Sequence, residues 1–212
     1  MSLPVYDVVL LPPTDVNQAA IRVSQDVAKL GTAFTLSQRI YPHLSLYMAN
    51  FTPEALSQVQ AALDDIAKRV AIPLEATKYH ANEQGMCEVF YRKTPAIKTL
   101  QHDIITALNP LRVGLRIKDP VGRLLSERLA ETKGELHHNL VTYGYDEVGS
   151  FFKPHITFTR FTKRGRRTPH FHLPPVASFN ATFGILGLFE MGEHGTCIRQ
   201  IAVWPFTASA TR

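Results

Sequence analysis

Two short stretches of this chain share one pattern. "YPHLSLYM" at 41–48 and "KPHITFTR" at 153–160 each run proline, histidine, aliphatic, hydroxyl residue, apolar residue. In a strand, residues two apart share a face, so His43 projects with Ser45 and His155 with Thr157, while Leu44, Leu46, Ile156 and Phe158 turn to the core. The copies stand 112 residues apart (155 − 43), about half of a 212-residue chain, which is the spacing a duplication leaves. A chain so built is expected to form one bilobal domain over 1–212, each lobe supplying one such strand.

The remaining pattern is mixed α+β. "VYDVVLL" (5–11) reads as a strand stopped by Pro12-Pro13. Ile21, Val23, Val27 and Leu30 recur at helical intervals over 15–30, with Thr14 or Asp15 as N-cap and Gly31 as the stop. A strand over 43–51 follows. Thr52, Pro53 and the stripe Leu56, Val59, Leu63, Ile66, Val70 then predict a helix over 52–70. Strands are expected at 72–79 and 85–92 around a turn at 82–85, a helix at 95–108, and a short helix near 121–131. Strands return at 137–144 and 155–161, and a long hairpin, 180–191 with 196–206, turns at 192–195.

Composition narrows the setting. Cys87 and Cys197 are too few for a disulfide framework and have no C-x-x-C spacing, which suits a reducing cytoplasm. No run approaches the roughly 18 to 20 apolar residues that span a bilayer, and the N-terminus has no basic leader, so a soluble, untargeted protein is expected. The net charge of +5 is local: Arg160, Lys163, Arg164, Arg166 and Arg167 fall in an acid-free stretch, 160–172, and equal the whole surplus (23 − 18 = 5). Such a patch suits an anionic partner, phosphate or nucleic acid, or is simply a solvated loop. His170 and His172 could share a face and, with His137 and His138, hold zinc. No Cys, Asp or Glu sits at ligand spacing near them, however, and the reading is of no metal and no cofactor. Phosphate-loop glycine patterns and a nucleophile elbow are absent.

Each repeated stretch offers an imidazole, able to give or take a proton near neutral pH, beside a hydroxyl that can bond an anionic oxygen. If the halves face each other, a phosphate between them meets one imidazole on each side. In-line phosphodiester cleavage without a metal needs this set: a base for the attacking oxygen, an acid for the leaving oxygen, and donors for the equatorial oxygens. Tyr41 and Phe151, just before the tetrads, are candidates to stack on a nucleobase, or are core aromatics.

The paired tetrads "HLSL" and "HITF" resemble those of the 2H phosphoesterase superfamily, which includes 2′-5′ RNA ligase-like proteins, RNA 2′,3′-cyclic phosphodiesterases and ADP-ribose cyclic phosphate hydrolases. The resemblance implies two ferredoxin-like lobes, a central cleft between two antiparallel sheets, and catalytic histidines without metal. It makes His43 and His155 the catalytic pair and Ser45 and Thr157 the phosphate-binding hydroxyls. Pro154 and Arg160 match the second motif, Pro-His-x-Thr-x-x-Arg. The first copy departs, with Ser for the commoner Thr and "YMAN" for an aromatic-Leu-Gly ending. The expected function is a metal-independent phosphodiesterase acting on a cyclic phosphate or 2′-5′ linkage of a nucleotide or RNA end. Its rivals are a non-catalytic RNA-binding module and a metal-dependent hydrolase using His170 and His172.

Overall fold

Five consecutive buried residues, Tyr6 to Leu10, place β1 (Val5–Leu11) inside a sheet with both faces covered. The computed structural model describes residues 3–162 and 173–207. β1 lies between β2 (Leu44–Asn50) and β8 (Ile185–Met191), and β9 (Cys197–Pro205) completes a four-stranded antiparallel sheet of order β2-β1-β8-β9. A second antiparallel sheet has β5 (Met86–Tyr91) between β4 (Ala76–Ala81) and β6 (His155–Arg160). The short strands β3 (Ile72–Leu74) and β7 (Ala181–Phe183) pair with each other.

The helices cross between the sheets. α1 (Thr14–Ala28) follows β1 but lies against β6, and α3 (Pro95–Leu108) follows β5 but lies against β2. Gln101 of α3 makes the second crossing explicit, its Nε2 donating to the Leu46 carbonyl at 3.1 Å. α2 (Leu56–Ala67) covers β9 and packs on α3. Val16, Val23 and Val27 of α1, Val59 and Leu63 of α2, and Ile97, Leu100 and Ile104 of α3 join the inner strand faces in one core. Each of these helices repeats apolar residues at three- and four-residue intervals, which turns one stripe inward.

Several sequence expectations hold to within a residue or two. α3 spans 95–108 as predicted, with Thr94 Oγ1 accepting from Ile97 N. Gly31, at φ +83°, follows α1, although Pro13 and not Thr14 or Asp15 occupies its N-cap. The predicted helix near 121–131 is the shorter α4 (Leu125–Glu131). The expected strand at 137–144 is a correction: Gly134–Tyr143 is a helix, α5, closed by Gly144 at φ +63°. Val, Thr and Tyr suggested a strand, but Leu136, Leu140 and Tyr143 sit at helical spacing, and Asn139 and Leu140 are its buried residues. The expected 180–191 strand is broken at Gly184 into β7 and β8, because Ala181–Phe183 pairs with β3 while Ile185 onward pairs with β1.

Gly85, in the β4–β5 turn, carries φ +89°, and a Cβ there would lie 2.6 Å from the Phe161 carbonyl oxygen. Phe161 N donates back to Gly85 O at 2.8 Å, so this turn clamps the end of β6. Gly122 has the same φ of +89° but open space around it. Gly85→Ala should therefore cost more than the roughly 1–3 kcal/mol of backbone strain that Gly122→Ala incurs. Denaturant midpoints of the two variants check this, and equal losses would remove the clamp from the account.

Candidate active site

Each proline-histidine pair builds the same local device. The residue before a proline is pushed to extended backbone, and its carbonyl here accepts from the histidine two residues on: His43 Nδ1 to Tyr41 O at 2.7 Å, and His155 Nδ1 to Lys153 O at 2.6 Å. A carbonyl can only accept, so Nδ1 carries the proton and Nε2 is the atom each ring offers outward.

Both tetrads are followed by a bulge at the equivalent place. In β2 the register with β1 runs Leu44, Ser45, then Tyr47, leaving Leu46 as the extra residue. In β6 the register with β5 runs His155, Ile156, Thr157, then Thr159, leaving Phe158 extra. A bulge reverses the alternation beyond it. Met48 thereby shares the face of Ser45, and Arg160 shares that of Thr157, where a regular strand would turn both away.

His43, Ser45, Met48, His155 and Thr157 line one cavity of about 370 Å³ between the sheets. Two acids on the neighbouring strands join them. Asp7 of β1, opposite Met48 and diagonal to Ser45, accepts from Ser45 Oγ at 2.7 Å and lies 3.7 Å from His43 Nε2. Glu88 of β5, directly opposite Thr157, accepts from Thr157 Oγ1 at 3.5 Å and lies 3.6 Å from His155 Nε2. The acids are thus one strand pair out of step, and the two histidines meet different fields.

Burial dominates the first pair. It holds the Asp7 carboxyl up at about 8 and pushes His43 down to about 4, so at neutral pH the 3.7 Å approach is between two uncharged groups and is no ion pair. At His155, burial also works against charge. The Glu88 and Glu147 carboxylates and the Lys153 carbonyl overcome it and raise this histidine above its ordinary value. Glu147 is itself lifted by burial to about 7, with its Oε2 4.0 Å from His155 Nδ1.

The rest of the wall comes from the segment between α3 and β6, which makes the second half longer: His43 follows Asp7 by 36 residues, and His155 follows Glu88 by 67. Asp119 accepts from Arg123 Nε at 2.7 Å, and Arg128 pairs with Asp146 at 2.5 Å. All four line the cavity.

The other candidates fall in different places. Tyr41 packs on Phe189, ring centroids 5.0 Å apart, beside Val9 and Cys197, and does not line the cavity. Phe151 lies in an exposed turn away from it. Arg160 does not line the cavity but bonds two residues that do, its Nε donating to the Gln84 carbonyl at 3.1 Å and its Nη1 standing 3.2 Å from His194 Nδ1. Lys163, Arg164, Arg166, Arg167, His170 and His172 lie outside the described residues. Asp7, Glu88, Glu147 and His194 were not singled out from sequence as site residues. Asp7 and Glu88 had a visible signal, an acid inside an apolar strand run, "VYDVVLL" and "MCEVFY".

This fold is that of E. coli LigT and similar solved structures. The chain is similar over almost its whole length to E. coli LigT complexed with 3′-AMP (12% identity, TM-score 0.56, 97% of this chain and 99% of that one). It is also similar to a structure described as a phosphoesterase (11%, TM-score 0.58, 96% and 99%) and to TT0787 of Thermus thermophilus (20%, TM-score 0.54, 97% and 99%). No family model and no curated protein matches the sequence. The α+β architecture and the antiparallel sheets expected from the sequence are those observed.

Asp7 yields a stability test. Between 3.8 and about 8 the folded chain holds a proton on Asp7 that the unfolded chain has released, so stability falls as pH rises through that window. Asp7→Asn removes this loss. Its melting temperature relative to the wild type should climb from about pH 5 to about pH 9; a flat difference would mean that Asp7 is ionised in the folded chain.

Proposed function

We propose that this protein is a phosphodiesterase that needs no metal and cleaves a cyclic phosphate or 2′-5′ linkage of a nucleotide or RNA end by two-histidine acid–base catalysis. The observation that carries the proposal is the pair of imidazoles lining one cavity, each with Nδ1 tied to a backbone carbonyl and a hydroxyl beside it. No metal enters the reading, because the imidazoles and hydroxyls supply base, acid and oxyanion donors themselves.

In this reading the roles follow the fields. His43, kept neutral by burial, holds an Nε2 lone pair and takes the proton of the attacking water. His155, raised by its two carboxylates, carries the Nε2 proton and delivers it to the departing ribose oxygen. Ser45 and Thr157 bond the non-bridging oxygens. A protonated Asp7 can place its own proton in the 2.7 Å contact with Ser45 Oγ, which frees the hydroxyl proton for phosphate. Glu88 and Glu147 line the same cavity, beside the ion-paired Asp119 and Asp146.

His43→Ala or His155→Ala should each lower kcat/KM on a 2′,3′-cyclic mononucleotide by at least about 10²-fold, in excess chelator. Near wild-type turnover in either variant would remove that residue, and inactivity of the wild type on all cyclic and 2′-5′ substrates would favour the RNA-binding alternative. Thr157→Val, nearly isosteric but lacking the donor, should be as damaging as Thr157→Ala.

The pH profile follows from the same roles. Activity rises as pH climbs through the His43 value of about 4 and falls as it climbs through that of His155, above the ordinary 6.5, so the limbs stand well apart. Glu88→Gln removes the largest influence that raises His155. The alkaline limb should move to lower pH while the acid limb stays; movement of the acid limb instead would reverse the assignment.

A further inference from the structure

One buried side chain beside His43 has no part in this chemistry. Cys197, at the start of β9, is fully buried beside Val9 and Phe189, and its carbonyl accepts from Tyr41 N at 3.1 Å, which ties β9 to the turn that presents His43. Its Sγ, a carboxylate oxygen of Asp7 and a ring nitrogen of His43 all lie within 4.8 Å of one another, and no other trio of ligating side chains among the described residues comes so close. A tetrahedral zinc ion with bonds of about 2.0–2.3 Å needs its ligands roughly 3.3–3.8 Å apart. His43 Nε2 and Asp7 Oδ2 stand at 3.7 Å already, and the thiol, within 4.8 Å of both, needs to move in by up to about 1 Å.

We propose that Asp7, His43 and Cys197 bind a zinc-like divalent cation with its fourth position open to the cleft. The nitrogen, oxygen and sulfur set suits zinc above magnesium or calcium, which prefer oxygen. Supports around the ligands are in place. The Tyr41 carbonyl holds the Nδ1 proton of His43, leaving Nε2 to coordinate, and the Ser45 hydroxyl orients the Asp7 carboxylate. Asp7 Oδ1 is buried with no hydrogen-bond partner among the described residues, so the carboxylate has a second, uncommitted oxygen that can join Oδ2 on the ion. Binding displaces the thiol proton of Cys197 and any proton on Asp7 to solvent, so a dication meets two anions and a neutral imidazole. The second tetrad has no counterpart, because Cys87 pairs with Thr159 on the face turned away from His155 and Glu88.

The consequence rests on the function proposed above: an ion on Nε2 takes the lone pair that His43 needs as base. Zinc is then an inhibitor and not a cofactor, and occupancy and hydrolysis exclude each other. Binding itself does not depend on that reading.

The test uses the full chain carrying His170→Ala and His172→Ala, which removes the other histidine pair. Stripped with chelator and titrated with Co²⁺, it should take up one ion and develop a near-ultraviolet thiolate-to-cobalt band with the visible bands of a tetrahedral site. Cys197→Ala should abolish the near-ultraviolet band and weaken Zn²⁺ binding, by equilibrium dialysis, at least about tenfold. Circular dichroism confirms that this variant is folded, and the titration of the parent chain stands without it. If the parent also hydrolyses a cyclic nucleotide, Zn²⁺ should stop it, and the half-inhibiting concentration should rise at least about tenfold in Cys197→Ala, relative to that variant's own metal-free rate. Binding without a sulfur band, or Zn²⁺ affinity unchanged in Cys197→Ala, overturns the site even in a chain that hydrolyses. A sulfur band in a chain that hydrolyses nothing upholds the site and overturns the phosphodiesterase.

Discussion

The hydrogen bond from each histidine Nδ1 to the carbonyl before the preceding proline is the interaction on which the site depends. It fixes the tautomer and aims Nε2, and the proline makes it possible by holding the preceding residue extended. Without that bond an imidazole flanked by a carboxyl group would face two competing partners, and the ring would have no unique orientation. The bulge three residues after each histidine completes the device by reversing the strand face, which puts Met48 and Arg160 beside the hydroxyls instead of in the core.

The two halves share this backbone but not their electrostatics. Asp7 lies diagonal to its hydroxyl and is wholly buried, so both it and His43 resolve the cost of charge by staying neutral. Glu88 stands directly opposite Thr157, and Glu147 approaches from a separate segment, so His155 has two carboxylates to stabilise its charged form. A near-symmetric pair of histidines thus meets two different fields, burial holding His43 below its ordinary value and two carboxylates holding His155 above it. The offset of Asp7 from the position Glu88 holds leaves it close to His43 and Cys197, the grouping proposed above to bind a cation.

Most of the difference between the halves comes from the longer connection to β6. Its ion pairs, Arg123 with Asp119 and Arg128 with Asp146, form one wall of the cleft. Crossing of the helices between the sheets holds that cleft together, because α1 braces β6 and α3 braces β2, and Gln101 ties α3 to the β2 backbone inside the bulge.

The sequence by itself determined what local chemistry can encode. The tetrads, the prolines before them, the capped helix at 95–108 and the alternation that buries Leu44 and Ile156 follow from spacing and propensity alone. The pattern of 137–144 misled because the β-formers Val141, Thr142 and Tyr143 stand together, while the helical spacing of Leu136, Leu140 and Tyr143 outweighed their propensity. Whether Asp7 and Glu88 were structural or functional was not legible, although an acid in an apolar run marked both. Their meaning depends on which residue stands across the strand pair, and that register is set by bulges and by strands brought together from distant parts of the chain. The charge states of His43 and His155 were decided only by the tertiary structure, because burial and the approach of Glu88 and Glu147 are long-range facts that no local window contains.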